Sequence, residues 1–247
     1  MLHYFSRISD LLKKNSLAVI LIFAAIVRLT LFLSQSGIIW ADSTSYYLWA
    51  VEIAETFTFT TYPFYRTPFY SMFLSPFLLF GESILAGRAI LLAQYTLGVL
   101  TVFYLYKIAR LYFSEKVAFL AAMLFSLDVL QLYYETVIQT EVLFCFLLVL
   151  TSYQSLVLIE KQDSKRNLIF LGISIGLLTL TRPIGRLFFI VVLICSFIKN
   201  KNFKNTIKKG GIIFTFYYLT ILPWQIINYH TYNHWGLSLD MGINLFH

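Results

Sequence analysis

The chain has 247 residues, of which 59% are hydrophobic and only 13% charged. Ordinary soluble domains are about 45–50% apolar and about 25% charged, so the composition argues against a soluble globular domain and for a polytopic membrane protein. The net charge of +7 does not point to nucleic acid, because the basic residues sit in short loops between apolar runs, the pattern that orients membrane proteins by positive charge inside.

Arg7, Lys13 and Lys14 precede the apolar run Leu17–Leu33. This resembles a signal peptide, but Arg28 interrupts the run and no clear small-residue cleavage site follows, so an uncleaved first span is expected. A spanning helix needs about 20 mostly apolar residues. Spans are predicted over 16–36, 88–106, 117–134, 141–159, 167–181, 184–198 and 210–228. The runs 167–181 and 184–198 are short and count as spans only because basic or Arg-Pro punctuation separates them. The fold class is therefore all-α, with about seven transmembrane helices and a first extracytoplasmic loop containing juxtamembrane helices.

The run "PFYSMFLSPFLLF" (68–80) carries Pro76 inside and decides the topology. If it does not cross, the lysine-rich loops share one side with the N-terminus. The other side then holds only Arg66, Arg88, Arg182 and Arg186. If it crosses, most basic residues change sides and the positive-inside rule is inverted. The expected arrangement thus has a cytoplasmic N-terminus and an extracytoplasmic C-terminus. Residues 37–87 form a first outer loop, with 68–80 on or in the outer leaflet, and 229–247 open a second outer segment. Residues 1–247 read as one transmembrane module. Cys145 and Cys195 lie in apolar runs and suggest no disulfide or zinc framework.

This topology places Asp42, Glu52, Glu55, Glu82, Glu135, Glu141 and Asp240 at the outer side. Asp128, in the otherwise apolar "FSLDVLQLYYE", needs a partner or a wet cavity. The outer basic residues are all arginines, and arginine grips phosphate or carboxylate bidentately. Arginines and carboxylates at one membrane face make a candidate site for an anionic lipid headgroup beside a catalytic acid. The blander alternatives are ion pairing or snorkelling for Arg28 and Arg88, and a helix N-cap for Asp42. His230 and His234, on an expected loop, make a weak metal site, and no firm metal spacing or other cofactor is indicated.

A first span carrying arginine, followed by "WADSTSYYLWA", resembles the GT-C glycosyltransferases, the membrane enzymes that use polyprenyl-phosphate sugars. The resemblance is strongest to the protein O-mannosyltransferase and lipid A aminoarabinose transferase group. It continues through "RTPFYSMFLSPFLLFG", "GRAILLAQYTLGVLTVFYLYKIARLYFSEKVAFLAAMLFSL", "TVIQTEVLFCFLLVL", "GISIGLLTLTRP" and "LPWQIINY", and so covers nearly the whole chain.

The resemblance implies an essential first-loop acid, which matches Asp42, although relatives often carry Asp-Glu where this chain has Asp42–Ser43. It implies a second acid at Glu141, which would position the acceptor or ligate a divalent metal if one is used. Phosphate-handling positions match Arg88 and Arg182 and, less closely, Arg66. Tyr46 joins these as a substrate-binding candidate. The implied function is transfer of a sugar from a polyprenyl-phosphate donor to a hydroxyl of a lipid, glycan or protein at the extracytoplasmic face of a membrane, expected to be a bacterial cytoplasmic membrane. Relatives run on past a seven-span module, whereas this chain stops at His247. A fragment, a minimal form and a broken gene product all stay open, and with them the activity of this short form. The rival functions are a transporter or lipid flippase and a non-catalytic membrane partner.

Overall fold

The computed structural model describes residues 15–34, 41–59, 66–160 and 164–238. Parts of the expected outer segments, 37–40, 60–65 and 239–247 with Asp240, lie outside the described residues.

Every described element is a helix: α1 (Ser16–Ser34), α2 (Ala41–Thr56), α3 (Phe69–Leu74, continued by a 3-10 turn, Ser75–Leu78), α4 (Ile84–Tyr112), α5 (Glu115–Ser126), α6 (Val129–Thr136), α7 (Glu141–Glu160), α8 (Lys165–Thr181), α9 (Leu187–Asn200) and α10 (Phe203–Tyr232). Local chemistry sets the boundaries. The Ser83 hydroxyl accepts from Ala86 N and starts α4. The Asn202 side chain accepts from Asn205 N and starts α10. Pro183 disfavours helical backbone at the residue before it, so Arg182 is extended (φ −146°, ψ 129°) and α8 ends there.

The predicted span 117–134 is broken. The α5 and α6 axes differ by 48° at Leu127–Asp128, where the exposed Asp128 caps α6 by accepting from Gln131 N at 2.8 Å. The charge is used at a helix terminus, where backbone N–H groups would otherwise lack partners.

Polar contacts sort the helix termini into two ends. At one, Ser16 bonds Tyr106 at 2.7 Å and also Glu115, and Glu160 accepts from Lys199 and Tyr112. At the other, Thr67 bonds the Thr181 carbonyl and Arg182 meets Glu141. The chain therefore runs between these ends through α1, α4, the α5–α6 pair, α7, α8, α9 and α10. By length and composition, four of these helices (α1, α4, α7 and α10) are fit to cross a membrane, and the bent α5–α6 pair makes up to five. The other two predicted spans form the shorter helices α8 and α9, of 17 and 14 residues. Of the seven expected spans, four or five thus form helices of full spanning length.

Helix α4 is the hub, packing on α1, α5, α6 and α7. Between α1, α4 and α5, Ile20, Ala24, Val102, Ala118 and Ala122 are buried. Helix α8 packs closely on α10 through Gly172 and Gly176. A Cβ at Gly172 would stand 2.5 Å from the Ile213 carbonyl, and one at Gly176 2.5 Å from Thr220 Cβ. Small residues four apart let membrane helices approach this closely.

A buried ion pair lies in the first layer. Arg28 of α1 donates to Glu135 of α6 at 2.8 Å, with side-chain exposures of 2% and 0%. Gln131 donates to the same carboxylate oxygen. Gly98 of α4 makes the room, because a Cβ there would fall 2.6 Å from Arg28 Nε and closer still to the Glu135 carboxylate. Gly98→Ala is expected to lower stability by about 1–3 kcal/mol, as overpacking does. Thermal unfolding in detergent reads this directly, and an unchanged midpoint would mean that the pair can move aside freely.

Candidate functional site

Glu141 and Arg182 come together across the α7–α8 interface. Glu141 opens α7, where a carboxylate also favours the helix dipole. Arg182, turned out of α8 by Pro183, donates through a terminal nitrogen to Glu141 Oε1 and through Nε to Thr140 Oγ1 at 2.8 Å. Its guanidinium also lies 5.7 Å from the centre of the Phe144 ring. The pair is only partly covered, with Arg182 41% and Glu141 26% exposed. That separates it from the closed Arg28–Glu135 pair: Arg182 is held in place yet open to an incoming anion.

A second cation, from the segment before α3, lies over Tyr46 of α2. The Arg66 guanidinium lies 4.5 Å from the centre of the Tyr46 ring. Tyr46 packs edge-on against Tyr70 of α3, centroids 5.3 Å apart, and its carbonyl accepts from Ser71. Tyr70 is fully buried. Burial, and after it the negative charge of Glu141, raises its phenol well above the usual value. The hydroxyl therefore stays protonated, and it donates to Gln94 Oε1 at 2.6 Å. Tyr46, Arg66, Tyr70, Glu141 and Arg182 thus form one neighbourhood at one end of the helices.

Asp42 lies in the first turn of α2, one turn before Tyr46. It is inside the helix, and so is not the N-cap of the blander reading. Its side chain lies outside the described residues. Arg88 does not join the cluster. It is exposed on the second turn of α4, its guanidinium 5.3 Å from the centre of the Phe32 ring on α1. Beside Phe32 runs an apolar groove between α1 and α4, about 360 Å³, lined by Ile22, Ile26, Leu29, Phe32, Leu92 and Val99 among others. His230 belongs to the last turn of α10 rather than to a loop, and His234 follows the helix end. No group of three or more His, Cys, Asp or Glu able to hold a metal occurs among the described residues.

The sequence reading missed Glu135, Gln94 and Tyr70. Glu135 was assigned only to the outer side and is fully buried. A polar residue inside an apolar run was the available signal for Gln94, at the middle of the predicted span 88–106.

The sequence model of the dolichyl-phosphate-mannose-protein mannosyltransferase family matches residues 66–224. That match covers well over half of the chain and includes Arg66, Arg88, Glu141 and Arg182. The chain belongs to this family. No curated protein and no solved structure matches it. Membership makes the chain a multi-pass membrane glycosyltransferase of the class that uses a polyprenyl-phosphate-linked sugar. The matched region starts at Arg66, so Asp42 and α2 lie before it.

Proposed function

We propose that the chain transfers a sugar from a polyprenyl-phosphate donor to an acceptor hydroxyl at the extracytoplasmic face, with the N-terminus cytoplasmic and the C-terminus outside. The observation that carries this reading is the half-open Glu141–Arg182 pair beside Arg66 and Tyr46, at the end of the helices opposite the lysines. The lysine end matches a cytoplasmic face under the positive-inside rule. The arginine end suits a lipid phosphate.

In this mechanism Arg182 and Arg66 hold the donor phosphate, and Arg88 meets the lipid from the α1–α4 side. The acceptor oxygen attacks the anomeric carbon and the bond from that carbon to the phosphate oxygen breaks. The electron pair leaves with the polyprenyl phosphate, whose growing negative charge the arginines stabilise. Asp42 takes the proton of the acceptor hydroxyl. Glu141 orients Arg182 and, with it, the acceptor. A single displacement inverts the anomeric centre. The acceptor is a lipid, a glycan or a protein hydroxyl.

The test is transfer from radiolabelled polyprenyl-phosphate sugars in membranes, comparing wild type with Asp42→Asn at matched expression. The expected result is transfer by wild type and a loss of about a hundredfold or more in the variant, the lower range for removing a general base. Equal transfer by both would remove Asp42 as the base and leave Glu141 as the candidate. No transfer by wild type on any of several donors would overturn the reading for this chain.

A further inference from the structure

We propose that Gln94 and Tyr70 form an internal brace that fixes Glu141 against Arg182, which makes both of them positioning residues for the transfer reaction. This rests on the function proposed above.

Gln94 is fully buried on α4, and both ends of its amide are bonded. Oε1 accepts from Tyr70 at 2.6 Å, and Nε2 donates to the carbonyls of Glu135 and Val137, both at 3.0 Å. Those carbonyls lie where α6 ends and the chain turns toward α7. Carbonyls at a helix C-terminus lack intrahelical partners, so the amide serves the Glu135 carbonyl and adds a second bond to that of Val137, which also accepts from Gln139 N at 3.0 Å. Val137 is four residues before Glu141, and the short segment between them is held at both ends: Gln94 holds its start, and Arg182 holds Thr140. The Gln139 backbone also reaches the Tyr70 hydroxyl.

The start of α3 grips the Arg182 side of this arrangement as well. Thr67, just before α3, donates to the Thr181 carbonyl at 2.9 Å, one residue before Arg182. Thr67 and Tyr70 thus tie one short outer helix to the backbone beside both members of the Glu141–Arg182 pair. Arg66, next to Thr67, is the cation over Tyr46. An anion drawn to Arg66 therefore pulls on the element that sets Glu141 and Arg182.

Only an amide accepts one bond and donates two from this position. Methionine fills much the same volume without those bonds, so Gln94→Met separates hydrogen bonding from packing. Tyr70→Phe removes the hydroxyl alone. The experiment has two readouts. The first is steady-state transfer from the polyprenyl-phosphate sugar that wild type accepts, for Gln94→Met, Tyr70→Phe and their combination. The expected result is a kcat about tenfold lower or more, because misplacing reacting groups by about 1 Å costs up to about a hundredfold. The donor KM stays within about twofold, since Arg66 and Arg182 are untouched, and the combined variant is no worse than Gln94→Met alone.

The second readout needs no activity. Thermal unfolding midpoints in detergent are measured for Glu141→Gln, Arg182→Gln and the pair, in wild-type and Gln94→Met backgrounds. The brace predicts that the Glu141–Arg182 coupling at least halves without Gln94. An unchanged coupling, or a kcat per folded protein equal to wild type, would overturn it. If wild type transfers nothing, the proposed function fails and the coupling alone decides the brace.

Discussion

Arg182→Ala is expected to slow sugar transfer by about a hundred- to a thousandfold, the range found when one donor to a developing negative charge is removed. The structure gives the reason for so large an effect. Arg182 has two side-chain anchors, Glu141 and Thr140, so its guanidinium arrives already oriented. Stability should hardly change, because the pair is partly exposed and such pairs contribute about 0–1 kcal/mol. Arg182→Lys should recover only part of the rate, since a point charge cannot bond Thr140, Glu141 and a phosphate in the same planar pattern. Initial rates in membranes, normalised to folded protein, check both variants. A rate within twofold of wild type for the alanine variant would remove Arg182 from the phosphate site.

The opposite profile is expected for Arg28 and Glu135. Either one replaced by alanine leaves the other charge buried without a counter-ion, which costs about 3–5 kcal/mol. Arg28→Ala should therefore reduce the yield of folded protein and lower the thermal midpoint sharply, with little change in rate per folded molecule. The combined variant Arg28→Met, Glu135→Leu should recover most of the loss, since well-packed apolar replacements of buried ion pairs are often neutral or better. A double variant as unstable as Arg28→Ala would mean that the pair does more than satisfy itself. Among the described residues Arg28 Nε and Glu135 Oε2 find no hydrogen-bond partner, so the pair is not an optimised stabiliser even as it stands.

These two arginines show what the sequence made legible. Both were visible as charges near apolar runs, and the topology placed Arg182 and Glu141 on one side, where the structure joins them. The all-helical class followed from apolar run length, and most predicted runs lie within observed helices. What stayed hidden was three-dimensional. Arg28 and Glu135 are 107 positions apart, and no periodicity within either helix states which faces meet. Arg88 was grouped with Arg182 because both fall at the outer end, yet it stands over Phe32 on the far side of α4.

Asp128 is the instructive intermediate case. Reading "FSLDVLQLYYE" as one span made the acid an anomaly. Asp followed three residues later by Gln131 is also a helix-start pattern, and that pattern describes the break between α5 and α6. Hydropathy outweighed a local capping signal because the flanking residues are apolar on both sides of the bend.

The short helices beside the site have a consequence for the lipid around them. Helix α9 has 14 residues, about 21 Å at 1.5 Å per residue, against a hydrocarbon core of about 30 Å. Exposed Leu187, Ile190, Val191, Ile194 and Ile198 face outward along it, with Arg186 and Lys199 at its two ends. A bilayer in contact with that surface has to thin locally or let those end charges snorkel. Where the bilayer thins, the headgroup plane lies nearer to Arg182. Under the proposed function, a lipid-linked phosphate arriving there would travel less far to reach the guanidinium, and the membrane's own deformation would become part of the entrance to the site.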